Sequence, residues 1–133
     1  GVTVVVGAMY EETVGDYYGS AYVFTRSGTS WSHQAQLQSS NIGASDYFGD
    51  GVAITGDTII VGASFEDTGA SAAGSAYVFT RSGTSWTEVK QIQASDPSAN
   101  AYFGESVAID ANGTGVVGQA KYNNSAAYVF VAP

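Results

Sequence analysis

Residues 19–31, GSAYVFTRSGTSW, return without a single change as residues 74–86, an offset of 55. A decayed copy, Ser125-Ala126-Ala127-Tyr128-Val129-Phe130, stands near the end of the chain. Other landmarks keep the same register: Val6-Gly7-Ala8 recurs as Val61-Gly62-Ala63, and Tyr47-Phe48-Gly49 as Tyr102-Phe103-Gly104. A repeat of this length is one supersecondary unit that buries its apolar face against the next copy. The chain is therefore predicted to be an array of repeated sheet units, of the propeller kind.

No window has helical periodicity; short β-rich runs alternate with Gly, Ser, Asp and Asn clusters. Each period reads as four strands. The first covers residues 49–54 and 104–109, the second 3–6, 58–61 and 115–117. The third covers 20–26, 75–81 and 126–131, the fourth 31–38 and 86–93. Thr55-Gly56-Asp57 is too short for a crossover, and Ser27-Gly28-Thr29 and Ser82-Gly83-Thr84 are hairpin turns, so pairing is expected to be antiparallel. Val4-Val5-Val6 is apolar on successive positions, which predicts a second strand buried on both faces. The fourth strand is mostly polar and reads as an outer edge. Tyr22 and Phe24, Tyr77 and Phe79, and Tyr128 and Phe130 alternate with smaller residues and are expected to pack unit against unit. The fold class that follows is all-β: antiparallel four-stranded blades of β-propeller type, one complete (residues 48–93) and two incomplete (1–38 and 103–132), in a single repeat domain over 1–133.

Twelve acidic residues against four basic ones give a formal charge of −8. That field repels a phosphate backbone or an anionic membrane surface, and Arg26, Arg81, Lys90 and Lys121 are scattered, so nucleic acid is not expected. No apolar run approaches the ~20 residues a membrane helix needs, so membrane insertion is not expected either. The absence of cysteine excludes disulfides, thiolate metal sites and cysteine nucleophiles. The chain starts at Gly1, which reads as a processed form or a segment of something longer.

These landmarks resemble the FG-GAP repeat family, the blades of integrin-like β-propellers, in its bacterial-type branch. Phe48-Gly49 and Phe103-Gly104 are similar to its FG element, and Gly7-Ala8 and Gly62-Ala63 to its GA(P) element, with Met9 or Ser64 in place of the proline. The resemblance implies a propeller blade and, in integrin-type repeats, a D-x-D-x-D-G calcium loop between the first two strands. Here that place holds Thr55-Gly56-Asp57 or the run from Asp110 to Thr114, too few oxygens for the six to eight that calcium takes. No cofactor is expected; calcium is kept only as an alternative ligand of the acidic loops. Those loops carry Glu11, Glu12 and Asp16 in one copy and Glu66 and Asp67 in the next, and their irregular spacing reads as a solvated loop.

Catalysis finds little foothold. His33, the single histidine, occupies a fourth strand where the next copy has Glu88, and no nucleophile–base or paired-carboxylate pattern is discernible. No catalytic, cofactor-binding or metal-ligating residue is assigned. Two N-glycosylation sequons fall in predicted turns, at Asn112 and Asn123. The incomplete blades leave unpaired strand edges, which are normally protected or used. The expected function is thus a non-enzymatic structural or adhesive repeat protein, extracellular or at the cell surface. It would assemble into a filament or ring by strand complementation, with copies of itself or further blades of a parent chain as partners. The alternatives are a propeller module that binds calcium or a glycan, and a fragment of a longer propeller.

Overall fold

The β-branched and aromatic runs of each unit pair across two-residue turns in which glycine takes the left-handed backbone: Gly28 at φ 60°, Gly56 at 52° and Gly83 at 64°. The computed structural model describes residues 1–12, 16–120 and 125–132, and within them every element is a strand. Three antiparallel sheets result. The first is β1 (Val2–Ala8), β2 (Ser20–Ser27) and β3 (Ser30–Leu37) in that order. The second adds an inner strand: β4 (Phe48–Thr55), β5 (Thr58–Ala63), β6 (Ser75–Ser82) and β7 (Ser85–Ile92). The third is β8 (Ser106–Ile109), β9 (Thr114–Gln119) and β10 (Ala126–Val131). This is one complete four-stranded blade between two three-stranded ones.

Alternation along the strands puts a different apolar set on each face of a sheet, and the two sets pack on different neighbours. Val5, Ala21, Val23 and Leu37 of the first sheet meet Ile59, Val61, Tyr77 and Phe79 of the second. The opposite face of the second sheet, Ile60, Ala76 and Val78, meets Phe103, Val117, Tyr128 and Phe130 of the third. The repeated aromatic pairs therefore do pack blade on blade. Only the middle blade has its second strand buried throughout; in β1, Val2 and Val6 are exposed. The reason is that burial on both faces requires a sheet on each side, and among the described residues the first sheet has one on a single side.

The Gly-Ala and Phe-Gly landmarks meet where adjacent sheets come closest. A Cβ on Gly7 would stand 1.9 Å from the Gly49 carbonyl oxygen, and one on Gly62 would stand 1.8 Å from that of Gly104. The signature is a backbone-on-backbone contact that admits no side chain. The outer strands carry a second device. A bulge between Val23 and Phe24 of β2 leaves Gln34 of β3 without a ladder partner. Its side-chain oxygen then accepts from Arg81 Nη1 at 3.1 Å and from Trp86 Nε1 at 2.8 Å, fastening the first sheet to the second.

Candidate functional site

Three features stand apart from this packing. The first is a pair of uncovered faces. On the first sheet, Val4, Val6, Tyr22 and Phe24 occupy the positions that Ile59, Val61, Tyr77 and Phe79 fill in the second, 55 residues on. On the third sheet, Val116 pairs with Val129 in the register by which Val5 pairs with Val23 and Ile60 with Val78. The members of the inner sets are packed, whereas Val6 and Val129 are 51% and 71% exposed. The two open faces are thus copies of the two halves of an interface the chain already makes twice. Among the described residues, no strand pairs with the edges of β1 and β10 remote from β2 and β9.

The second feature is a groove of about 550 Å³ that crosses all three sheets at one end. The segment after each second strand supplies Tyr10 and Phe65; the segment before each inner strand supplies Tyr47 and Tyr102; the residue after each Phe-Gly supplies Asp50 and Glu105. The rings form a row, Tyr10 to Tyr47 at 5.4 Å between centroids, Tyr47 to Phe65 at 4.7 Å and Phe65 to Tyr102 at 4.9 Å. Tyr47 and Tyr102 both take left-handed backbone at φ 57°, uncommon for an aromatic residue. The hydroxyl of buried Ser64 donates to Asp50 and fixes that carboxylate.

The third is a buried polar cluster in the loops that follow the second strands. The expectation of a solvated acidic loop fails at Glu66, which is 4% exposed. Its carboxylate accepts from the Thr68 backbone N–H at 2.9 Å, the Ser75 hydroxyl at 2.6 Å and the Thr68 hydroxyl, so it closes the loop instead of facing water. Asp67 caps the same loop, accepting from the Ala72 N–H at 2.7 Å. Nearby Asp46 is pushed up to about 6 by burial, against the pull of the Gly43 N–H, and the charges of Glu66 and Asp67 push in the same direction. Burial also raises the Tyr77 phenol, whose hydroxyl donates to Asn41 at 2.8 Å. In the first copy, hydrogen bonds from Ser20 and Tyr22 hold Glu11 below the usual carboxylate range.

The sequence-predicted positions disperse. Asn112 is exposed in the β8–β9 turn, its N–H on Asp110 Oδ1 at 2.9 Å; Asn123 lies outside the described residues. His33 is exposed on β3 against the rings of Tyr22 and Phe24. Calcium does not fit the turns the resemblance points to. Asp57 is taken by Arg81, at 2.8 Å, and one oxygen of Asp110 accepts the N–H groups of both Asn112 and Thr114. Among the described residues, no three His, Cys, Asp or Glu side chains converge on a common point for a metal ion.

Comparison with known proteins agrees with the glycine contacts. The family model described as FG-GAP repeat matches residues 31–79 and again 86–130, well over half of the chain. No curated protein matches it. FG-GAP repeats form propeller-type modules, generally non-enzymatic and typical of extracellular and surface proteins.

Proposed function

Because the chain belongs to the FG-GAP repeat family, we propose that it is a non-enzymatic extracellular structural or adhesive module that extends head to tail, blade on blade. The observation that carries this reading is the position-by-position correspondence of its two uncovered faces with the two halves of its internal interfaces. Stacking Val116 and Val129 of one copy on Val4, Val6, Tyr22 and Phe24 of the next repeats a contact whose complementarity the sequence already uses. The pairing joins unlike surfaces, so it builds a ring if the rotation closes and a filament if it does not. The free edges of β1 and β10 take an added strand in the same arrangement. Arg26 supports the direction of growth: its guanidinium lies 5.6 Å over the Trp31 ring, as Arg81 lies 4.9 Å over Trp86 where that pair grips the preceding sheet.

Light scattering over a concentration series, followed by negative-stain microscopy, tests this. Particles that grow beyond 13.7 kDa with concentration, and that V6E or V129E returns to monomer, are the expected result. A 13.7 kDa monomer at every concentration overturns self-association and leaves further repeats of a longer chain as the occupant of those faces.

A further inference from the structure

We propose that the groove across the three sheets is a binding site for a neutral oligosaccharide of hexopyranose units. The inference is independent of head-to-tail growth, since the groove lies at the loop end of the sheets and not on their open faces. Its chemistry is built by the repeat. Each junction between sheets contributes one ring from the loop after the second strand, one tyrosine from before the inner strand, and one carboxylate: Tyr10, Tyr47 and Asp50, then Phe65, Tyr102 and Glu105. Two equivalent subsites laid end to end suit a ligand that itself repeats, and the second subsite then binds at the effective concentration set by the first.

The arrangement of the rings selects among ligands. Successive planes are tilted by 68°, 63° and 39°, and each ring touches the next in a row; at its first end Tyr17 packs directly on Tyr10 at 5.8 Å and on Tyr47 at 6.3 Å. A box of rings would hold a single ammonium group; a row presents successive apolar surfaces to an extended molecule. Pyranose rings offer flat C–H faces to such surfaces, and their hydroxyls donate to carboxylates. Asp50 is already oriented by Ser64, and Glu105 is exposed at the corresponding place. The charge sets the remaining term. Two carboxylates in the groove and a formal −8 over the chain repel uronic or sulfated glycans, which leaves neutral ones. A concavity that sets aromatic rings beside a few placed polar groups is also a usual form of small-ligand site.

The test is titration of the protein with hexamers of β-1,4-, β-1,3- and α-1,4-linked glucose, β-1,4-linked mannose and β-1,4-linked galactose. Binding is followed by calorimetry and tyrosine fluorescence, with tetramethylammonium and a sulfated glycan alongside. Binding of at least one neutral hexamer is expected. Y10A and F65A, at exposed rings whose loss leaves the sheets intact, should each weaken it about tenfold, and E105Q by a smaller factor. Far-ultraviolet dichroism verifies that each variant is folded. The proposal is overturned by the absence of binding to every neutral hexamer at millimolar concentration. Tetramethylammonium or the sulfated glycan binding in their place also overturns it, as does hexamer binding that Y10A and F65A leave unchanged.

Discussion

Replacing Gly62 by alanine probes the contact on which the blade stack depends. The new Cβ would lie 1.8 Å from the Gly104 carbonyl oxygen and 2.7 Å from the carbonyl carbon. Carbon–oxygen contact needs well over 3 Å, so the second and third sheets must part locally by about 1.5 Å. The obstacle is backbone, unable to rotate aside, and it adjoins the cluster of Ile60, Val78, Phe103 and Val117. Overpacking of a core costs about 1–3 kcal/mol, and a rigid obstacle places G62A at the upper end, near 3 kcal/mol. For a chain of this size that corresponds to a fall of about 10 °C in Tm. The control is built into the repeat. Gly118 holds the same place in the third unit, where, among the described residues, the close approach of an added Cβ is to the Ser106 hydroxyl oxygen, at 2.3 Å, with the Ser106 backbone oxygen at an ordinary 3.7 Å. That side chain can change rotamer, so G118A should cost less than about 1 kcal/mol. Urea and thermal unfolding of both variants, at one fixed protein concentration, give the comparison. If G62A melts within a degree or two of the parent chain, or if G118A costs as much, the steric account of the glycine pair is wrong.

Other perturbations exploit the same matched positions. R81A removes the ion pair to Asp57 and the bonds to Thr3 and Gln34 across the sheets, a loss of about 2 kcal/mol, whereas R26A, exposed in the first unit, should cost about 0.5 kcal/mol or less by urea unfolding. E66A takes away the acceptor of the Ser75 hydroxyl proton, leaving that oxygen only its donors Gln91 and Gln93, and opens its loop at about 2–3 kcal/mol; E11A, at the half-buried equivalent, should give the smaller loss in the same assay. Asp46 makes stability pH-dependent in an uncommon direction. Its folded value, about 6, lies above its ordinary 3.8, so the native state holds the proton more tightly. Its contribution is fully present below about pH 4, is lost as pH rises to about 6, and amounts to at most ~3 kcal/mol. D46N retains an acceptor for the Gly43 N–H and should remove that part of the pH profile; a parent-minus-variant difference that stays flat between pH 4 and 7 refutes the assignment.

The strands were legible because their signals are local. Apolar runs such as Thr58-Ile59-Ile60-Val61 stand between turns with glycine, and the repeat aligns three weak readings into one. The site features were not, because each depends on what a loop meets. Glu66 and Asp67 are adjacent acids in a polar loop, and only the folded chain turns one of them onto Ser75. Tyr10, Tyr47, Phe65 and Tyr102 sit in separate segments with no stripe in sequence, and the stacking of sheets brings them into one row. Their one sequence-level sign was recurrence: Tyr47 with Tyr102 and Tyr10 with Phe65 keep the offset of 55. The Gln34 bulge likewise leaves no mark in the spacing of β3.

The family unit and the sheet are out of phase. A unit runs from Trp31 to Phe79, so it opens on β3, the outer strand of one sheet, and ends on β6, the third strand of the next. Every unit therefore works as a hinge pin between two leaves, with one strand in the first leaf and three in the second. Removing or inserting one whole unit shortens or lengthens the stack while each remaining junction still finds its four strands. The length of such a protein is free to drift by 55-residue steps, while a change of any other length must be absorbed in a loop or break a blade.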